Sequence, residues 1–103
     1  MSLIKTTTSL IIFCLFITIL AYAQTAEDYF NSGKAKYKLK DYRGAIQDYN
    51  KAIEINPNDA SAYNSRGLDK ITLGQKDNGC LDLSKAGELG LAKAYEAIKE
   101  FCN

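Results

Sequence analysis

The stretch from Ala26 to Pro57, AEDYFNSGKAKYKLKDYRGAIQDYNKAIEINP, decides how this chain is read. It holds two helical patterns back to back. In the first, Tyr29, Gly33 and Tyr37 recur one turn apart. In the second, Tyr42, Ala45, Ile46, Tyr49, Ala52 and Ile53 form an apolar stripe at helical spacing. Lys40-Asp41 makes a short turn between them, with Asp41 suited to cap the second helix. Asn56-Pro57-Asn58-Asp59 ends the unit, because proline disfavours helical geometry in the residue before it. Asp59 is then placed to cap a further helix.

Shifted by 34 residues, the chain matches itself. Ala26 falls on Ala60, Tyr29 on Tyr63, Gly33 on Gly67 and Lys36 on Lys70. Leu39 falls on Leu73, Asp48 on Asp82, Ala52 on Ala86 and Glu54 on Glu88. A fixed period of this size signals stacked supersecondary units. Gly33, Gly67, Ala45 and Ala52 let paired helices approach closely, and the tyrosines fill the space left over. The second unit is less regular. It has Asp69, Lys76 and Gly79, and Glu88-Leu89-Gly90 stands where the first unit has its proline turn. Gly79 in a helix interior is expected to cost about 1 kcal/mol relative to alanine.

Beyond Gly90, which suits a helix C-terminus, Leu91, Ala94, Tyr95, Ile98, Phe101 and Cys102 share one face of a last helix. Lys93, Glu96, Lys99 and Glu100 occupy the other side. A terminal helix of this kind is expected to cover the end of the stack. Cys80 near the start of the preceding helix and Cys102 at the end of the last one are expected to meet. A bridge there closes a loop of about 22 residues and adds roughly 3 kcal/mol. Two small buried apolar residues are the alternative reading of the pair.

Upstream, residues 1–23 read as a secretory signal peptide. Lys5 supplies the positive start, residues 10–20 the apolar run, and Ala21-Tyr22-Ala23 the small residues for cleavage before Gln24. The apolar run is shorter than the ~20 residues needed to span a bilayer, and an uncleaved membrane anchor is the alternative reading. Removing Lys5 leaves as many basic as acidic side chains, from 13 and 12 in the whole chain. Such a balance argues against a nucleic-acid or acidic-membrane binder. Histidine is absent. That removes His-dependent triads and His-based zinc sites, and the cysteines lack the spacing of a redox or zinc motif. Asp41, Asp48 and Asp82 sit at turns or on polar helix faces with no evident partner in the sequence. No catalytic residue, cofactor or metal ligand is expected.

The quoted stretch closely resembles the tetratricopeptide repeat. It carries the aromatic, the glycine one turn on, the Asp-Tyr turn, both alanines and the closing proline. The second unit departs at Asp69, Lys76 and Gly79. The resemblance implies an all-α solenoid of antiparallel helix hairpins: repeat one over residues 26–59, repeat two over 60–90, and a capping helix over 91–102. It also implies a protein- or peptide-binding module whose first helices line a concave face. Carried over, that face takes in Phe30, Asn31, Lys34, Tyr37, Lys38, Asn64, Ser65, Leu68 and Ile71. Lys34 and Lys38, one turn apart, suggest an acidic segment as partner. Because Lys34, Lys36, Lys38 and Lys40 alternate along the chain, an ordinary solvated lysine helix is the competing reading. A self-associating solenoid unit, exposing apolar surface near Tyr29 and Phe30, is the alternative function.

Overall fold

The computed structural model describes residues 8–15 and 24–103. Most of the leader assigned to residues 1–23 therefore lies outside the described residues. Its residues 8–15 are helical and exposed. Among the described residues, no helix is long and apolar enough to cross a membrane.

Five helices follow in order: α1 (Ala26–Lys38), α2 (Tyr42–Ile55), α3 (Ala60–Thr72), α4 (Lys76–Glu88) and α5 (Ala92–Phe101). Each packs against its neighbour in the chain. Among the described residues no strand interrupts them, so the fold is all-α and tetratricopeptide-like.

The starts of the helices follow from local chemistry. Thr25 and Asp28 form a capping box, each side chain accepting from the other's backbone N–H at 3.1 and 3.0 Å. Asp41 accepts from the Gly44 N–H at 3.0 Å, and Asp59 from the Ala62 N–H at 3.2 Å. Helices α4 and α5 begin at Gln75 and Leu91 without a side-chain cap. The ends are alike in three places. Asp41, Gln75 and Leu91 donate their backbone N–H groups back to Lys36, Lys70 and Ala86 carbonyls at 2.9, 2.8 and 3.1 Å. The residue before each donor has positive φ: Lys40 at 60°, Gly74 at 85° and Gly90 at 101°. Only Lys40 carries a side chain in that strained conformation.

The core is narrow and built from small residues. Ala45, Ala52, Ala62, Ala86 and Ala94 are fully buried, with Tyr49 and Leu83 filling the space between helices. At Gly33 an added Cβ would lie 2.5 Å from the Tyr49 ring, so the ring crosses α1 directly over the glycine. Gly67 and Gly79 face one another. A Cβ on either would lie 2.7 or 2.6 Å from the other's carbonyl oxygen. Gly79 is thus a requirement of the α3–α4 backbone contact rather than a weak point in its helix.

Two carboxylates that look unpartnered in sequence are paired across the hairpins. Asp48 on α2 accepts from Ser32 Oγ at 2.7 Å and Lys36 Nζ at 3.0 Å, both on α1. One repeat on, Asp82 on α4 accepts from Arg66 Nε and Nη2 at 2.8 and 2.7 Å and from Lys70 Nζ at 2.9 Å, all on α3. Burial alone would raise the Asp48 carboxyl, but the Ser32 and Lys36 bonds and the nearby Lys36 and Lys51 charges hold it below its usual value. Arg66 also reaches back to Asn50 Oδ1 at 2.9 Å, tying repeat two to repeat one.

A disulfide joins Cys80 in α4 to Cys102 at the end of α5, with Cα atoms 5.9 Å apart. The apolar face of α5 is only partly covered. Ala94 is buried, whereas Tyr95 and Phe101 remain 51% and 38% exposed. The Tyr95 ring nevertheless lies across Gly87, where an added Cβ would be 2.8 Å from Cζ.

Candidate functional site

An open pocket of about 220 Å³ lies beside α1 and α3. Helix α1 supplies Lys34 and Tyr37, and α3 supplies Asn64, Ser65, Leu68 and Asp69. Tyr49 from α2 and Lys93 from α5 complete the lining. The geometry follows from the repeat. Helix α2 packs against both α1 and α3, and α5 packs against α4 as α3 does against α2.

Of the sequence-derived positions, the structure brings Lys34, Tyr37, Asn64, Ser65 and Leu68 together here. The other four stand outside the lining. Phe30 is half-buried and packs its ring 5.6 Å from that of Tyr49, with Lys34 Nζ 5.5 Å above its own centroid. Asn31 and Lys38 are exposed on α1. Ile71 turns its Cγ1 over Gly79, into the α3–α4 contact. Tyr29 and Phe30, the suggested apolar end, are half-buried; Lys51 Nζ sits 5.4 Å over the Tyr29 ring.

The floor of the pocket is polar and unusual. Asn64 and Asp69 are 6% and 2% exposed. Asn64 Oδ1 and Asp69 Oδ2 are buried without a hydrogen-bond partner. Burial pushes the Asp69 carboxyl up from 3.8 to about 6. Burial, and then the charge of Asp69, push the neighbouring Tyr49 phenol up to about 12. Asp69 falls where the first repeat has Ala35, and that mismatch was the one trace of it in the sequence. Tyr49 reads in sequence as core, and Lys93 as the polar side of a cap. Both join the site only through helix packing. Among the described residues, no group of His, Cys, Asp and Glu side chains could hold a metal ion.

Comparison with known proteins agrees with this architecture. A family model described as TPR repeat matches residues 33–68. The Hsp70-Hsp90 organizing protein of Triticum aestivum is 41% identical over 59 residues, covering 57% of this chain and 10% of that protein. Small glutamine-rich tetratricopeptide repeat-containing protein 2 of Mycosarcoma maydis is 33% identical over 75 residues, covering 71% of this chain and 21% of that one. The crystal structure of MamA superposes with a TM-score of 0.70 at 28% identity, over 72% of this chain and 44% of that chain. The chain therefore carries a tetratricopeptide repeat over the matched residues, and its described residues form two helix hairpins of that kind followed by a fifth helix. It spans between 10% and 35% of the length of the curated relatives it matches.

Proposed function

We propose that this chain is an exported interaction module whose concave face, formed by α1 and α3 and bounded by α5, receives an extended segment of another protein. The observation that carries the reading is the open pocket between the first helices, with Lys34 and Lys93 in its lining. An ordered set of side chains at such a crevice is the usual form of a recognition site. The relatives support it by analogy, since one of them is named for organizing Hsp70 and Hsp90. Acidic side chains of the segment would meet Lys34 and Lys93, with Lys38 further along α1. Export rests on the leader-like residues 1–23, and a disulfide suits an oxidising compartment.

The test is capture of acidic peptides by the purified protein and by its Lys34→Glu/Lys38→Glu variant. Weakened capture with unchanged helical circular dichroism supports the reading; unchanged capture rejects the basic rim. Secreted material whose mass begins at Gln24 supports export, and a retained Met1 rejects it.

A further inference from the structure

The pocket's two unpartnered oxygens ask for something that an acidic segment alone does not provide. A buried polar atom without a partner costs about 1–3 kcal/mol, and an unpaired buried charge costs more. Asn64 Oδ1 and Asp69 Oδ2 are both acceptors, and both belong to side chains more than nine-tenths buried in residues that line the same cavity. The groups able to satisfy them are N–H or O–H donors.

Neither oxygen takes a hydrogen bond from the chain's own cations, although Lys34 and Lys93 line the same pocket. Lys34 holds its Nζ over the Phe30 ring, and Arg66 and Lys70 are committed to Asp82. Ammonium groups on Lys34 and Lys93 also repel a bare cation that approaches from solvent. A cation entering between them must bring negative charge with it.

We propose that the pocket takes the guanidinium tip of an arginine side chain, donating to Asn64 Oδ1 and Asp69 Oδ2, from a segment whose neighbouring acidic residues meet Lys34 and Lys93. The planar fork of a guanidinium carries several N–H donors and matches two separated acceptors, where an ammonium is a point charge. Leu68 and the Tyr37 ring offer apolar and aromatic walls to the side chain's methylene stem and planar head. The recognised segment is thus of mixed charge, with arginine flanked by glutamate or aspartate. This inference rests on the groove reading above and specifies its ligand.

The experiment uses peptide pools with randomised acid-rich flanks and a fixed central residue: arginine, glutamine or glutamate. Each pool is passed over the immobilised protein, and the retained fraction is quantified by mass spectrometry. Retention of the arginine pool is expected to exceed that of the glutamate pool at least about tenfold, a difference of 1.4 kcal/mol, with glutamine between them. Asp69→Asn keeps the side-chain shape and removes the charge. It is expected to erase the arginine preference, bringing retention of the arginine pool down to that of the glutamine pool. Equal retention of the arginine and glutamate pools overturns the inference but leaves the groove standing. So does a preference that survives in Asp69→Asn, or glutamine matching arginine. Retention of none of the pools overturns the groove reading and this inference together. A merely structural Asp69 would lower the thermal midpoint when replaced. The variant is expected to raise it at neutral pH, because it removes an unpaired buried charge.

Discussion

Replacing Asp69 with asparagine should make the protein more stable at neutral pH, and the gain should vanish in acid. The carboxyl is 2% exposed, its Oδ2 has no partner, and burial carries its pKa from 3.8 to about 6. Each unit is worth about 1.4 kcal/mol, so the charged form is disfavoured in the fold by about 3 kcal/mol. The folded pKa lies above the unfolded one. Between these values the folded chain therefore keeps a proton that the unfolded chain has released. Stability falls as pH rises through that window, and the whole cost is present above the folded pKa. Asparagine has the same shape and never ionises. At pH about 7.5 the variant should exceed the wild type by about 2–3 kcal/mol, and near pH 4 the gap should close. Urea titrations followed by circular dichroism at 222 nm would measure both proteins at several pH values. Taking their difference cancels the other titrating groups to first order. A gap that stays constant with pH, or a variant less stable at neutral pH, would refute the account of an unpaired buried charge.

Three further outcomes can be measured in the same way. Gly67→Ala drives a methyl to within 2.7 Å of the Gly79 carbonyl oxygen, a backbone atom, and should destabilise by about 2–3 kcal/mol; an unaffected urea midpoint would contradict the close α3–α4 approach. Asp82→Ala strands Arg66 and Lys70, which are only 16% and 18% exposed. It should cost about 3 kcal/mol, against about 1 for Asp48→Ala, whose partner Lys36 is 39% exposed; equal losses would be unexpected. Cys102→Ser should cost about 3 kcal/mol of chain entropy, and reduction of the parent should raise its intact mass by two hydrogen atoms.

What the sequence discloses and what it hides divide along a physical line. The 34-residue period, the caps at Asp41 and Asp59 and the stop at Pro57 are local, so neighbouring residues suffice to read them. The partners of Asp48 and Asp82 are not local. They lie on the opposite helix, as many as 16 residues away, where no helical spacing points to them. Gly79 reads as a helix weakness until its contact with Gly67 is seen, because propensity describes an isolated helix and packing overrides it. Five of the nine groove positions meet in one pocket. The remaining four follow the rotation of their own helices: Phe30 toward Tyr49, Ile71 toward Gly79, Asn31 and Lys38 toward solvent. Tyr49, Asp69 and Lys93 enter through the approach of three separate helices, which no single stretch of sequence encodes.

Arg66 has a consequence for how the molecule comes apart. Its guanidinium holds Asp82 within its own hairpin and Asn50 in the preceding one. In a stacked array, stability is a sum of unit terms and junction terms, and strong junctions make neighbouring units melt as one. A side chain that clamps both sides of the seam penalises any state in which one hairpin is intact and the other loose. Amide exchange in α2 and α3 would then proceed through a shared opening, so the groove between the hairpins disappears only when the whole body does.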